Sequence, residues 1–137
     1  MKYLKKYESL DSSKRERNLR FLGDMSLELG DNGFNGEVIS YDDFVGDIIV
    51  RINKKSKPSP LGMYGALRFN YNDIKETLLS MISYMESESY SIGSIEVSDN
   101  YVHNLIPVKL KGEELYLEYR PGQKVDYSIA QLVIKFR

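Results

Sequence analysis

The 137-residue chain contains no cysteine, no tryptophan, a single histidine and four prolines. Without cysteine it can form no disulfide, no thiolate metal site and no cysteine nucleophile, and this usage fits a reducing compartment. With only His103, zinc centres built on two or more histidines are excluded. Any Ser-His-Asp triad would have to use that one imidazole, and no serine sits in a Gly-x-Ser-x-Gly elbow. No apolar run approaches the roughly 20 residues that cross a bilayer. The basic start, Met1 to Leu10, leads into Asp11-Ser12-Ser13-Lys14 instead of an apolar core, so it does not read as a secretory signal.

What is present is an ordinary globular balance. Hydrophobic residues make up 42% and charged ones 28%, which suits one folded domain and argues against disorder. The aromatic set is skewed, with eleven Tyr against five Phe. Tyrosine joins an apolar ring to a polar tip and suits half-buried positions and interfaces. The net charge is −1, but the charges are segregated. Residues 1–20 carry +4, 21–50 carry −7, 51–75 carry +5, 76–101 carry −5 and the remainder +2. Such blocks either neutralise one another across the surface or present opposite potentials to oppositely charged partners.

Hydrophobic spacing gives the elements. Tyr3, Leu4, Tyr7 and Leu10 form a short amphipathic stripe with lysines opposite, and Asp11 to Ser13 read as a break and a fresh N-cap. The expected organisation is a leader over 1–12 and one α+β domain over 13–137. Leu19, Leu22, Met25 and Leu29 predict a helix from about Ser13, stopped by Gly30, Asn32 and Gly33. Strands are expected over Glu37–Tyr41 and Phe44–Asn53. A second helix, capped by Asn70 or Asn72, carries Ile74, Leu78, Met81, Ile82 and Met85 on one face. Further strands fall at Ser91–Val97, Leu105–Leu110, Glu114–Tyr119 and Ser128–Phe136, with a turn at Arg120-Pro121-Gly122-Gln123 joining the last two.

A shift of 56 positions aligns Leu22 with Leu78, Met25 with Met81, Leu29 with Met85, Phe34 with Tyr90 and Ile39 with Ile95. Read as a repeat, this predicts two α-β halves. The fold expected is a two-layer α+β sandwich, two main helices on one face of an antiparallel or mixed sheet, ferredoxin-like with additional strands.

Three groups of residues are candidate contact points. Tyr3, Leu4 and Tyr7 can anchor into a protein partner, or simply pack on the domain. Asp42, Asp43 and Asp47 form an acidic cluster with neither EF-hand spacing nor its glycine; they suit a strand turn or a partner-facing patch, and no metal or other cofactor is expected. Lys54, Lys55 and Lys57 make a basic, proline-punctuated loop. With Tyr64, Arg68 and Tyr71 for stacking it is a candidate single-stranded nucleic-acid surface, although no RRM, KH or zinc-finger signature accompanies it. Gly62 and Gly65 match neither a Walker A nor a dinucleotide pattern.

Met1, Lys2, Leu4, Tyr7 and Glu8 make the start resemble that of many small proteins of large tailed bacteriophages. Asp31-Asn32-Gly33-Phe34 and Tyr71-Asn72-Asp73-Ile74-Lys75 are similar in style to uncharacterised phage proteins. The resemblance implies a phage origin, and with no catalytic constellation in the sequence the expectation is a non-enzymatic protein acting by protein–protein binding, as a virion-associated or assembly component in the virion or the cytoplasm of the infected bacterium. Its partner would be a phage structural protein or a host protein. An inhibitor of a host defence protein or toxin is the alternative, and nucleic-acid binding a third.

Overall fold

The computed structural model describes residues 2–40, 46–54, 67–98 and 105–137, with side chains from residue 14 onward. Helix α1 spans Lys2–Asp31 and leads into strands β1 (Phe34–Ser40) and β2 (Ile48–Lys54). Helix α2 (Lys75–Ser87) follows a single 3-10 turn at Tyr71–Asp73. Strands β3 (Ile92–Ser98), β4 (Leu105–Lys111), β5 (Glu114–Leu117) and β6 (Gln131–Phe136) complete the chain. The six strands form one sheet in the order β1-β2-β6-β3-β4-β5, every neighbouring pair antiparallel. With two helices on one face, this is the expected α+β sandwich.

The path β2-α2-β3 is a split β-α-β unit: both strands run the same way, and β6 slots between them. That is the motif from which ferredoxin-like sandwiches are built. Alternation along the strands sets the inner face. Ile48, Val50 and Ile52 of β2, Leu132, Ile134 and Phe136 of β6, and Ile95 and Val97 of β3 are all buried there. Against them α2 lays Leu78, Met81, Ile82 and Met85, the face expected from the sequence. Burying those four side chains contributes on the order of 6–12 kcal/mol before ordering costs.

Helix α1 packs on β1 with Leu22 and Leu29 buried in the core, and Gly36 is a point of close approach. A Cβ there would lie 2.7 Å from that of Ser26, so only glycine lets the helix down onto the strand. The two helices meet where Phe21 stacks on Tyr84, ring centroids 3.7 Å apart.

Several expectations change. The break at Asp11–Ser13 does not occur, and α1 runs unbroken from Lys2. Strand β1 starts earlier, at Phe34, and β2 later, at Ile48. The 56-residue repeat holds for the helices but fails at the strands. Ile95 pairs with Ile134 on the buried face, whereas Ile39 pairs with Ile49 on the opposite one. A one-residue slip reverses every side chain of a strand, so these are not equivalent strands in register. The expected turn at Arg120–Gln123 is present, with Gln123 N–H donating to the Arg120 carbonyl at 3.0 Å and Gly122 at φ 91°. Proline second and glycine third are what such a turn takes.

Candidate interaction surfaces

Of the acidic group, Asp47 lies just before β2 and pairs with Lys135 Nζ at 3.5 Å; Asp42 and Asp43 lie outside the described residues. Lys54 is the exposed last residue of β2, while Lys55, Lys57, Tyr64 and His103 also lie outside them. Tyr71, expected as a stacking ring, is instead 3% exposed, its hydroxyl donating to the Glu113 carbonyl at 2.8 Å. A ring held in the core offers no face to a base, so that part of the nucleic-acid surface is absent. Tyr3, Leu4 and Tyr7 fall in the first two turns of α1.

The most organised polar cluster gathers around the start of α2. Lys75 Nζ sits 2.8 Å from Glu114 Oε1 and 3.7 Å from Glu113 Oε2, and Lys124 Nζ reaches Glu114 Oε2 at 3.5 Å. The hydrogen bond from Lys75 lowers the Glu114 carboxyl and raises the Lys75 ammonium. Burial first, and then the charges of Glu114 and Glu113, push the Tyr71 phenol up to about 12. A phenol so held stays protonated and is a poor base or nucleophile at neutral pH.

The cluster instead corrects a charge conflict. Helix α2 begins with Lys75 and is followed by Glu88, each the wrong sign for the helix dipole at its end. Glu113 and Glu114 come to the first end, and Lys14 (3.7 Å) and Arg17 (3.5 Å) come to Glu88 at the other. Exposed pairs such as these contribute little individually, but they fix which way α2 sits against α1 and the β4–β5 hairpin.

Sequence reading missed a second polar group, inside the helix-sheet interface. Arg15 is 5% exposed, donating to Ser40 Oγ at 2.7 Å and to the Gly46 carbonyl at 3.2 Å, with its Nε unpaired. One turn on, fully buried Asn18 accepts from the Tyr84 hydroxyl at 3.0 Å, and its amide nitrogen has no partner. The signal was in the spacing: residues 15, 18, 22 and 29 share one helical stripe. These groups tie α1 to the β1–β2 end of the sheet and to α2.

Among the described residues no three His, Asp or Glu side chains gather as a metal site, and no helix is long and apolar enough to cross a membrane. The concave regions are shallow. One of them, about 660 Å³, is a polar groove between Glu28 of α1, Asn32 just past its end, and Asp73, Lys75 and Glu76 at the start of α2. No protein-family model, no curated protein and no solved structure matches the chain. The class its own architecture defines is therefore the α+β sandwich with a split β-α-β unit.

Proposed function

We propose that this protein acts by binding another protein, with the first turns of α1 as its reaching arm, and that it serves as a virion-associated or assembly component of a large tailed bacteriophage. The observation that carries this reading is the continuity of α1. Residues 2–13 make up about 18 Å of that helix. A helix start with Tyr3, Leu4 and Tyr7 among lysines suits insertion into an apolar groove rimmed by acids. The likeness of Met1, Lys2, Leu4, Tyr7 and Glu8 to phage leaders supplies the biological setting.

The test is affinity purification of the tagged chain from infected host cells, with mass spectrometry of captured proteins and of purified virions. The expected result is recovery with capsid or tail proteins, lost when residues 2–12 are deleted while the far-UV spectrum of the body persists. Retention of every interaction by the truncated chain refutes the arm. Capture of one host protein, weakened by salt and by neutralising Asp42, Asp43 and Asp47, would identify an inhibitor instead.

A further inference from the structure

We propose that the chain pairs with a second copy of itself along the side formed by β1 and the outer flank of α1. In this dimer β1 lies antiparallel to β1, and α1 crosses α1 at Gly23.

The sheet has two edges, and they are treated differently. At one edge β5 is only four residues long and is covered by the chain that follows it. Leu117 N–H donates to the Gln123 carbonyl at 2.9 Å, and Val125 N–H to the Leu115 carbonyl at 2.8 Å. At the other edge β1 runs seven residues in unbroken register with β2, and no described strand lies on its outer side. Edge strands are normally guarded by proline, lysine or a bulge, and β1 has none of these. Its one charge, Glu37, is drawn back onto its own sheet by Arg51 at 3.3 Å. A strand in this state is a template for another.

The flank of α1 above that edge is equally unfinished. Phe21, Lys14 and Arg17 face α2. Helical periodicity puts Leu19, Gly23 and Leu27 on the opposite flank. Leu27 is 72% exposed, and among the described residues nothing lies within 4 Å of where a Gly23 Cβ would be. A glycine inside a helix is unfavourable, and no neighbour among the described residues requires this one. A second helix crossing here would.

A single two-fold axis serves both elements. Ser26 sits on Gly36, and Gly23 lies one turn back, about 4.5 Å along the helix. That distance is between one and two strand residues, which brings Gly23 level with Glu37 and Val38 at the middle of β1. An axis through Val38 sets Glu37 opposite Ile39 of the copy and so avoids facing carboxylates. On the helices, Leu27 meets Leu19 of the copy, and Arg20 approaches Asp24 of the copy. Neither Arg20 nor Asp24 has an ion-pair partner among the described residues, so the charges are complementary and available. An isologous contact of this kind closes on itself, where a heterologous one could grow without limit.

The test is sedimentation equilibrium of the full chain from low micromolar to several hundred micromolar. The expected species has twice the 15.8 kDa chain mass. Leu27→Glu and Gly23→Glu each occupy open space in the single chain, so both should keep the wild-type far-UV spectrum while weakening the dimer at least tenfold. Because the chain has no cysteine, Gly23→Cys introduces a single thiol beside the axis. It should oxidise to a covalent dimer much faster than Ser80→Cys, on the exposed side of α2. A wild-type chain that stays monomeric throughout, or a dimer indifferent to both glutamate variants, overturns the proposal.

Discussion

Replacing Gly36 with alanine would set a methyl carbon 2.7 Å from Ser26 Cβ, 2.8 Å from its Oγ and 3.1 Å from its Cα. Carbon atoms in good contact lie about 3.5–4.0 Å apart, so α1 would have to retreat by roughly 1 Å. Ser26 cannot simply swing aside. Its hydroxyl donates to the Leu22 carbonyl at 2.8 Å, and the Cα is backbone. The retreat would loosen Leu22 and Leu29, which are 0% and 1% exposed. Overpacking of this kind costs about 1–3 kcal/mol. Alanine regains about 0.5–1 kcal/mol over glycine inside a regular element, leaving a net loss of about 1–2 kcal/mol. Urea unfolding followed by circular dichroism measures it, as a lower midpoint with an unchanged slope. The control is Ser26→Gly in the same chain. If the clash is the cause, the double variant should exceed the sum of the two single effects by about 1 kcal/mol of recovered stability. A Gly36→Ala protein as stable as wild type, or two strictly additive effects, would refute the close-packing argument.

Three further expectations follow from the polar groups. The Tyr71 phenol is held above its ordinary 10.0, at about 12. The folded state therefore keeps this proton longer, and its contribution is complete below pH 10 and lost between pH 10 and 12. Tyr71→Phe should remove up to about 2 kcal/mol of that alkaline loss, read from urea midpoints across the range. Glu114 is shifted the opposite way, below its ordinary 4.5, by the hydrogen bond from Lys75. Its contribution is present above that value and lost as pH falls through the lowered one, so Glu114→Gln should flatten the acid side of the thermal-stability profile. Tyr84→Phe deprives fully buried Asn18 of its donor and should cost about 1–3 kcal/mol in chemical unfolding, part of which Asn18→Leu should restore in the double variant.

The fold was legible where one apolar period dominated a segment. Ile74, Leu78, Met81, Ile82 and Met85 leave no reading but a helix with one buried face, and β6 alternates without interruption. Where local chemistry and tertiary context compete, the reading slipped. Asp11, Ser12 and Ser13 favour helix ends, yet each costs only about half a kcal/mol inside a helix, too little to break one that is formed on both sides. Phe34 is apolar and follows a glycine stop at once, so β1 starts without a linker. The apparent repeat misled at Ile39 because strand parity is decided by one residue, while a helical stripe tolerates a shift. The buried polar pair Arg15 and Asn18 was hidden by residue type, since both ordinarily mark an exposed side; their stripe position was the stronger clue. Tyr71 lies close in sequence to a basic loop and so reads as a stacking ring, yet its hydroxyl finds the Glu113 carbonyl across the fold and the ring is buried.

Strand β6 is made after all the others and yet lies third in the sheet, with β2 on one side and β3 on the other. Among the described residues no other strand pairing joins those two halves. During synthesis, α1 with β1 and β2 can assemble as one piece, and α2 with β3, β4 and β5 as another. Each then exposes an apolar strand edge while it waits for Gln131–Phe136. At about 5–20 residues per second, the interval between β3 and β6 lasts seconds, long compared with hairpin formation. A message cut short before residue 131 would therefore not give a slightly smaller protein. It would give two half-sheets with complementary, unsatisfied edges, able to capture each other across different chains.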